Sequence, residues 1–247
     1  MTEGSPYNME RKSDMIDFHA HILPGIDDGS RSAEESLEML RRLYDSGVRT
    51  VAATPHFYPW ERSPEGFLSD REAALEKLRS LPDRDIPEIL VGAEVGYFPG
   101  MASSEHLRDL RLSGTKFLLV EMPMERWQES AIKELGKMAC SASVIPVAAH
   151  IDRYFGYINK RVLEELSDNG VLFQMNCDAF LDGRTRRSAV RMMKKGLVSF
   201  LGTDCHDTEN RPPRMDEAEK ILEKKLGDGF MRWFSEKQAD VFASGTV

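Results

Sequence analysis

The chain has 247 residues, 41% hydrophobic and 30% charged, with a formal net charge of −8, the balance of one large soluble α/β domain or two small ones. Its pI near 5.4 argues against nucleic acid as a partner, because phosphate backbones are bound mainly by Lys and Arg. Three cysteines without CxxC spacing build neither a disulfide framework nor a zinc knuckle, and no apolar run is long enough for membrane insertion.

Residues 1–13 are polar, with no apolar h-region, and read as a flexible N-terminal tail on a cytoplasmic protein. From residue 14 onward β-rich runs alternate with helix-period runs. No repeat or linker divides 14–247, which is read as a single domain. The first strand is predicted over 15–19. The helix after it, over 32–46, has Ser32 as N-cap with Glu35 three residues on. Leu37, Leu40, Leu43 and Tyr44 form its buried stripe and Gly47 stops it. Further strands are predicted at 49–54, 88–94, 116–121, 144–150, 171–176 and 198–203, and helices at 64–80, 128–141, 160–169, 185–195 and 213–225. The run beginning at Lys116 is apolar on both faces, as a parallel sheet requires. Seven strands with intervening helices predict a distorted parallel barrel, its site at the strands' C-terminal ends.

The residues that can do chemistry fall at those ends. They are Asp17-Phe18-His19-Ala20-His21, His56 after Thr54-Pro55, Glu94, Glu121, His150, and Asp204-Cys205-His206. His19 and His21 are two apart on a strand, so both can reach one ion, with Asp17 on the same face to hold a ligand imidazole from behind. A carboxylate closing an apolar strand is costly unless a cation compensates it. Asp28, Glu94, Glu121 and Asp204 bring four negative charges together, which calls for more than one divalent ion. Imidazole with carboxylate suits Zn, Mn or Fe, and two or three such ions can polarise a phosphoryl group while ionising a water. The expected activity is metal-dependent hydrolysis of a phosphomonoester.

The D-F-H-A-H-I-L-P-G-I-D-D-G run of residues 17–29, T-P-H at 54–56, G-A-E at 92–94, A-H-I-D-R-Y at 149–154, T-D-C-H at 203–206 and R-P-P at 211–213 together resemble the polymerase and histidinol phosphatase (PHP) superfamily. Within it they look most like the metal-dependent bacterial protein-tyrosine phosphatases of capsule and exopolysaccharide loci. The resemblance implies a distorted (β/α)7 barrel with a trinuclear centre, most commonly of manganese, with iron or zinc as alternatives. One ion would be held by His19, His21, Glu94 and Asp204, a second by Glu94, Glu121 and His150, and a third by Asp28, His56 and His206. Asp28 is preferred to Asp27 on the family pattern alone. Arg153 and Arg211 match phosphate-binding positions, where a guanidinium fork fits the oxygens bidentately. The resemblance further implies a hydroxide held between two ions attacking a phosphotyrosine protein or peptide, such as the C-terminal tail of a bacterial tyrosine kinase. Phe57, Tyr58, Trp60 and Tyr154 are candidate walls for the substrate ring.

Three competing readings have separate signatures. Cys205 and Arg211 have the C-x5-R spacing of cysteine phosphatases, but Asp207 and Glu209 between them would repel phosphate. Histidinol phosphatase shares the scaffold, and the 17–29 and 149–154 runs favour the tyrosine phosphatases over it. A non-enzymatic binding module would be expected to lack ligands, and every matched ligand is present. His106 is expected to face solvent, and Cys140, Cys177, Met192 and Met193 to pack in the core.

Overall fold

A computed structural model describes residues 14–81 and 85–247; the tail expected over 1–13 lies outside the described residues. The strands are β1 (Met15–Ala20), β2 (Val48–Ala53), β3 (His56–Phe57), β4 (Glu88–Val91), β5 (Glu94–Gly96), β6 (Phe117–Glu121), β7 (Ile145–Ala148), β8 (Leu172–Asn176) and β9 (Phe200–Gly202). Every pairing between these strands is parallel, in the orders β1-β2-β4 and β3-β5-β6-β7-β8-β9.

These nine segments are seven strands, two of them broken. The single strand expected over 88–94 is interrupted at Gly92-Ala93, and β3 follows β2 after Thr54-Pro55. At the breaks the backbone stays paired: Gly92 N donates to Ala53 O (2.9 Å) and Glu94 N to Pro55 O (3.0 Å). The sheet curls until β9 meets β1, through a parallel bridge between Ala20 and Cys205. Asp204 N donates to His19 O (2.7 Å) and His21 N to Cys205 O (2.9 Å) across that seam. Between β4 and β6 the wall is completed by a turn, with Ser113 N donating to Val91 O (2.8 Å). The result is the expected distorted seven-stranded barrel, incompletely closed.

Alternation along the strands divides the core in two. Ile16, Phe18, Ala52, Phe117, Leu119, Val147 and Phe200 fill the interior, while Met15, Val51, Leu118, Val120, Phe173 and Leu201 face the helices. Phe18 stacks on Phe200 at 3.9 Å between centroids, and Phe117 meets both edge-on.

The helices are α1 (Ala33–Asp45), α2 (Pro64–Arg79), α3 (Leu107–Leu110), α4 (Glu129–Ala139), α5 (Lys160–Asp168), α6 (Asp178–Leu181), α7 (Arg186–Lys194), α8 (Met215–Leu226) and α9 (Phe230–Gly245). Six follow the periodicity of the sequence; α3, α6 and α9 were not expected. Ser32 caps α1 through Glu35 N (3.2 Å), but its stripe is completed by buried Met39, with Tyr44 only half-buried. Helix α9 seals the lower end of the barrel, where Val241 and Phe242 pack on the interior cluster and Gln238 Nε2 donates to Ile16 O (2.7 Å). Cys140 is exposed at the end of α4 rather than packed in the core, whereas Cys177, Met192 and Met193 are buried and His106 is exposed.

Candidate metal centre

All nine predicted ligands gather at the upper mouth, and local backbone irregularities aim His19, His21, His150 and Asp204 there. On β1, Asp17 pairs with Val51 but Ala20 pairs with Ala53, so three residues of β1 span two of β2. This bulge inverts the alternation: Phe18 points into the barrel, and after it His19 and His21 do so. His150 (φ 31°) and Asp204 (φ 53°) leave their strands in the left-handed region, unusual for side chains of this size. Gly29 lets the loop after β1 lie against His21, because a Cβ there would sit 2.4 Å from His21 O.

Glu94 is the hub. Its Oε2 lies 3.2 Å from His19 Nε2, 3.3 Å from His21 Nε2 and 3.0 Å from His56 Nδ1, while Oε1 lies 2.8 Å from His150 Nε2. Glu121 Oε1 is 3.5 Å from the same His150 nitrogen. Asp204 Oδ1 lies 3.6 Å and 3.5 Å from the Nε2 atoms of His19 and His21. On the outer side, Asp28 Oδ1 is 3.4 Å from both His56 Nε2 and His206 Nε2. Three sets each bring their donor atoms within 4.8 Å of one another: His21, Asp28, His56 and His206; His19, His21 and Asp204; His56, Glu94 and Glu121.

The donors fit divalent cations on two counts. His19 Nε2 and His21 Nε2 face each other at 3.1 Å, an arrangement that two neutral lone pairs cannot hold without a proton or a cation between them. His206 Nε2 is buried without a hydrogen-bond partner, a costly state that ligation would relieve. Charge points the same way. Burial disfavours a protonated His21, but hydrogen bonds to Asp27 and Glu94 outweigh it and raise its pKa to about 10. His150 is raised to about 9 against burial by Glu121 and Glu94. Glu94 itself is held well below the usual carboxylate range, its burial outweighed by His19, His150 and His21. His206 is depressed to about 4 by burial, His21 and Arg211. The cluster therefore favours added positive charge and offers a neutral imidazole on its outer side.

A second layer orients the imidazoles, and the sequence reading misplaced it. Asp17 does not touch a ring: it accepts from Thr203 N (2.9 Å), Thr203 Oγ1 (2.6 Å) and His19 N (3.2 Å), because the bulge turns it to the other face. Asp27 does that work, accepting from His21 Nδ1 (2.7 Å), His56 N (2.9 Å) and Gly29 N (3.0 Å). Gln174, a buried polar residue in β8, places Oε1 3.2 Å from His19 Nδ1 and accepts from His150 N (2.7 Å). Asn176 donates to Asp204 Oδ2 (2.7 Å). The Asp27-Asp28 doublet and the lone Gln in an apolar strand were the available signals.

Arg153 and Arg211 both pair with Asp204, Arg211 at 2.8 Å, and line a cleft of about 170 Å³ beside it with Asn176, Asp178 and Thr185. Among the aromatic candidates, Tyr58 and Trp60 reach the mouth. Tyr58 donates to Glu121 Oε2 (2.9 Å), and Trp60, 63% exposed, stacks on its ring at 5.1 Å. Phe57 and Tyr154 are fully buried and offer a substrate no surface: Phe57 packs against Phe67, and Tyr154 lies beneath His150 (5.7 Å between rings) with its hydroxyl on Met122 O (2.6 Å). Their strand and turn positions put them on the helix-facing side. Cys205 is fully buried and its thiol is pushed up by burial, so it presents no thiolate.

Residues 15–241 match the family model described as capsular polysaccharide synthesis, CpsB/CapC. The tyrosine-protein phosphatase CpsB of Streptococcus pneumoniae is 33% identical over 230 residues, covering 86% of this chain and 91% of that one. The tyrosine-protein phosphatase YwqE of Bacillus subtilis is 31% identical over 224 residues, covering 86% and 85%. A crystal structure from the pair YwqE of Bacillus subtilis and CpsB of Streptococcus pneumoniae, described as metal-dependent tyrosine phosphatases, superposes with TM-score 0.77 at 25% identity, covering 94% of this chain and 96% of that one. With its barrel, its histidine–carboxylate mouth and a match along nearly the whole length, the chain belongs to the CpsB/CapC family.

Proposed function

We propose that the chain is a metal-dependent protein-tyrosine phosphatase whose nine ligands hold three divalent cations, with manganese as the native metal. The observation that carries this reading is Glu94, one carboxylate within 3.3 Å of four imidazoles supplied by three strands, β1, β3 and β7, or their ends. His19, His21, Glu94 and Asp204 would hold the first ion, Glu94, Glu121 and His150 the second, and Asp28, His56 and His206 the third. The functions of the similar CpsB and YwqE proteins support the same activity.

Divalent cations bound there would neutralise charge on the phosphoryl oxygens and make an attacking water more acidic. The chain's own residues do the rest. Arg153 and Arg211 stand on one side of Asp204 and bind the phosphate oxygens, orienting phosphorus toward the cluster. Tyr58 keeps its proton, since burial and Glu121 push its phenol far above the usual range, and fixes Glu121 by donating to it. Tyr58 and Trp60 form an aromatic wall for the substrate ring, resting on Gly96, where a Cβ would lie 2.6 Å from Tyr58 Cδ1. A tyrosyl leaving group, with a pKa of about 10, departs with little need for a general acid. The proposed substrate is the phosphorylated C-terminal tail of a bacterial tyrosine kinase in capsule or exopolysaccharide synthesis, met in the cytoplasm. Among the described residues no helix is long and apolar enough to cross a membrane.

The test is to strip the protein with a chelator, restore Mn, Fe or Zn separately, and compare kcat/KM on a phosphotyrosyl peptide with that on histidinol phosphate. Activity should vanish on stripping, return best with Mn, and favour the peptide by at least about tenfold. Full activity after exhaustive metal removal, or preference for histidinol phosphate, would overturn the reading.

A further inference from the structure

Residues 183–203 contain Arg184, Arg186, Arg187, Arg191, Lys194 and Lys195 and not one acidic residue, in a chain of net charge −8. Most of these cations belong to α7 or its flanks. Arg184 is matched by Asp182 (2.7 Å), Arg186 donates to the carbonyls of Phe180 and Leu181, and Lys195 reaches Glu164 (3.0 Å). Arg187, Arg191 and Lys194 are exposed and have no acidic partner among the described residues. A local excess of unpaired cations on an acidic protein is a selective surface for an anionic partner.

Its position says which partner. Thr185, Ser188, Met192 and Lys195 recur at helical spacing along one face of α7 and its ends. Thr185 borders the cleft that holds Arg153, Arg211 and Asp204. Ser188, Arg191, Met192 and Lys195 line a separate groove of about 130 Å³ between α5 and α7. The floor of that groove is apolar: Phe155, Ile158, Leu163 and Met192. The turn after β7 connects the same two places, with Arg153 in the cleft and Phe155 in the groove. One helix face and one turn thus lead from the phosphate cleft to an apolar floor edged by the unpaired Arg191 and by Lys160 and Lys195, which share Glu164, with Arg187 and Lys194 further round α7.

We infer that this groove seats the substrate polypeptide itself, taking an acidic segment with an apolar side chain about three residues from the phosphorylated tyrosine. The spacing follows from the helix: Thr185 to Met192 spans seven residues, roughly 10 Å, which an extended peptide covers in about three residues. The apolar side chain would rest on Phe155 and Met192, and flanking carboxylates would face Arg187, Arg191 and Lys194. This rests on the tyrosine-phosphatase reading above and adds the recognition of residues outside the phosphotyrosine.

The experiment uses the full chain loaded with metal and three substrates. These are p-nitrophenyl phosphate, a phosphotyrosyl peptide with Leu at both third positions flanked by Asp, and the same peptide with Ser and Lys in their place. The acidic peptide should exceed the basic one in kcat/KM by about tenfold at low ionic strength, through KM, and the advantage should shrink in 0.5 M salt as exposed charges are screened. In a Arg187→Glu, Arg191→Glu, Lys194→Glu variant the acidic-to-basic ratio should fall to one or invert, whereas Arg232→Glu on α9 should leave that ratio as it was. A ratio near one in the unmodified protein, or one untouched by the triple substitution, overturns the inference while the phosphatase reading stands. Binding of the unmodified protein to phosphatidylglycerol vesicles without any peptide preference would overturn it too and assign the patch to a membrane surface. Inactivity on all three substrates would instead sink the activity on which it rests.

Discussion

Asp27 and Asp17 provide the sharpest contrast at the site, because the sequence recommends one and the structure the other. Asp27 Oδ2 accepts a hydrogen bond from His21 Nδ1 at 2.7 Å, leaving Nε2 to face Glu94 and Asp204. Burial opposes the ionisation of Asp27, but His21 and the backbone N–H groups of His56 and Gly29 hold its pKa at about 2. Asp27→Asn keeps the shape and removes the charge. Its amide either sets NH2 at the Oδ2 position, against both His21 Nδ1 and His56 N, which moves the ring proton of His21 to Nε2 and blocks ligation, or sets it at the Oδ1 position, against Gly29 N. Loss of such an orienting partner typically costs 10–100-fold in metal affinity, or about 1.4–2.7 kcal/mol. Asp17→Asn touches no imidazole; it weakens the pairing of β1 with Thr203 and should lower the unfolding free energy by about 1–3 kcal/mol. Calorimetric titration of metal-free protein with Mn, beside chemical denaturation of both variants, separates the two. If Asp17→Asn lost the greater metal affinity and Asp27→Asn bound Mn normally, the assignment of the orienting carboxylate would be wrong.

The remaining predictions probe the hub, the charge balance and the barrel floor. Glu94→Gln should reduce kcat/KM by more than the roughly 10–100-fold expected for residues behind the ligands, and elemental analysis should show fewer than the full complement of ions. His21 and His150 titrate near 10 and 9 in the metal-free protein, so both are protonated below those values and must lose their protons to ligate. Metal binding at pH 7 should release protons, seen as a binding enthalpy that varies with buffer ionisation enthalpy, and affinity should rise with pH toward 9. A buffer-independent enthalpy would contradict this. Phe18→Ala removes a ring stacked at 3.9 Å on Phe200 inside the barrel and should cost about 3–5 kcal/mol in chemical denaturation; a loss below about 1 kcal/mol would mean that the interior is loosely filled.

Strand ends were legible because charged residues interrupt apolar runs there, and only a site can repay that interruption. Every ligand so chosen lies at the mouth. Six helices were legible from their stripes and caps. Helix α9 was harder to read because its apolar face, Phe230, Met231, Phe234 and Phe242, is interrupted by Gln238, a buried polar residue whose partner is the carbonyl of Ile16 far away in sequence. Tyr154 and Phe57 look like pocket walls in a linear reading. Only the direction in which each backbone leaves its strand shows that they face the helices.

The misassigned Asp17 has a deeper cause, one that generalises to the site. Side-chain period along a strand is two, so identical spacing in sequence implies a common face only while register holds. At β1 the register slips between Asp17 and Ala20, and the slip lets Phe18 face the core while His19, its neighbour, faces the mouth. Two adjacent inward residues cannot occur in an unbroken strand. His150 and Asp204 reach the mouth by the same kind of departure, each at positive φ. A barrel interior filled by Phe18, Phe117 and Phe200 leaves no room for polar side chains at regular inward positions below the rim. Glu121 is the exception, continuing the inward alternation of Phe117 and Leu119 along an unbroken β6; His19, His21, His150 and Asp204 converge on it because the chain breaks its own periodicity where it supplies them, and it is these breaks, rather than the residue types, that sequence periodicity does not encode.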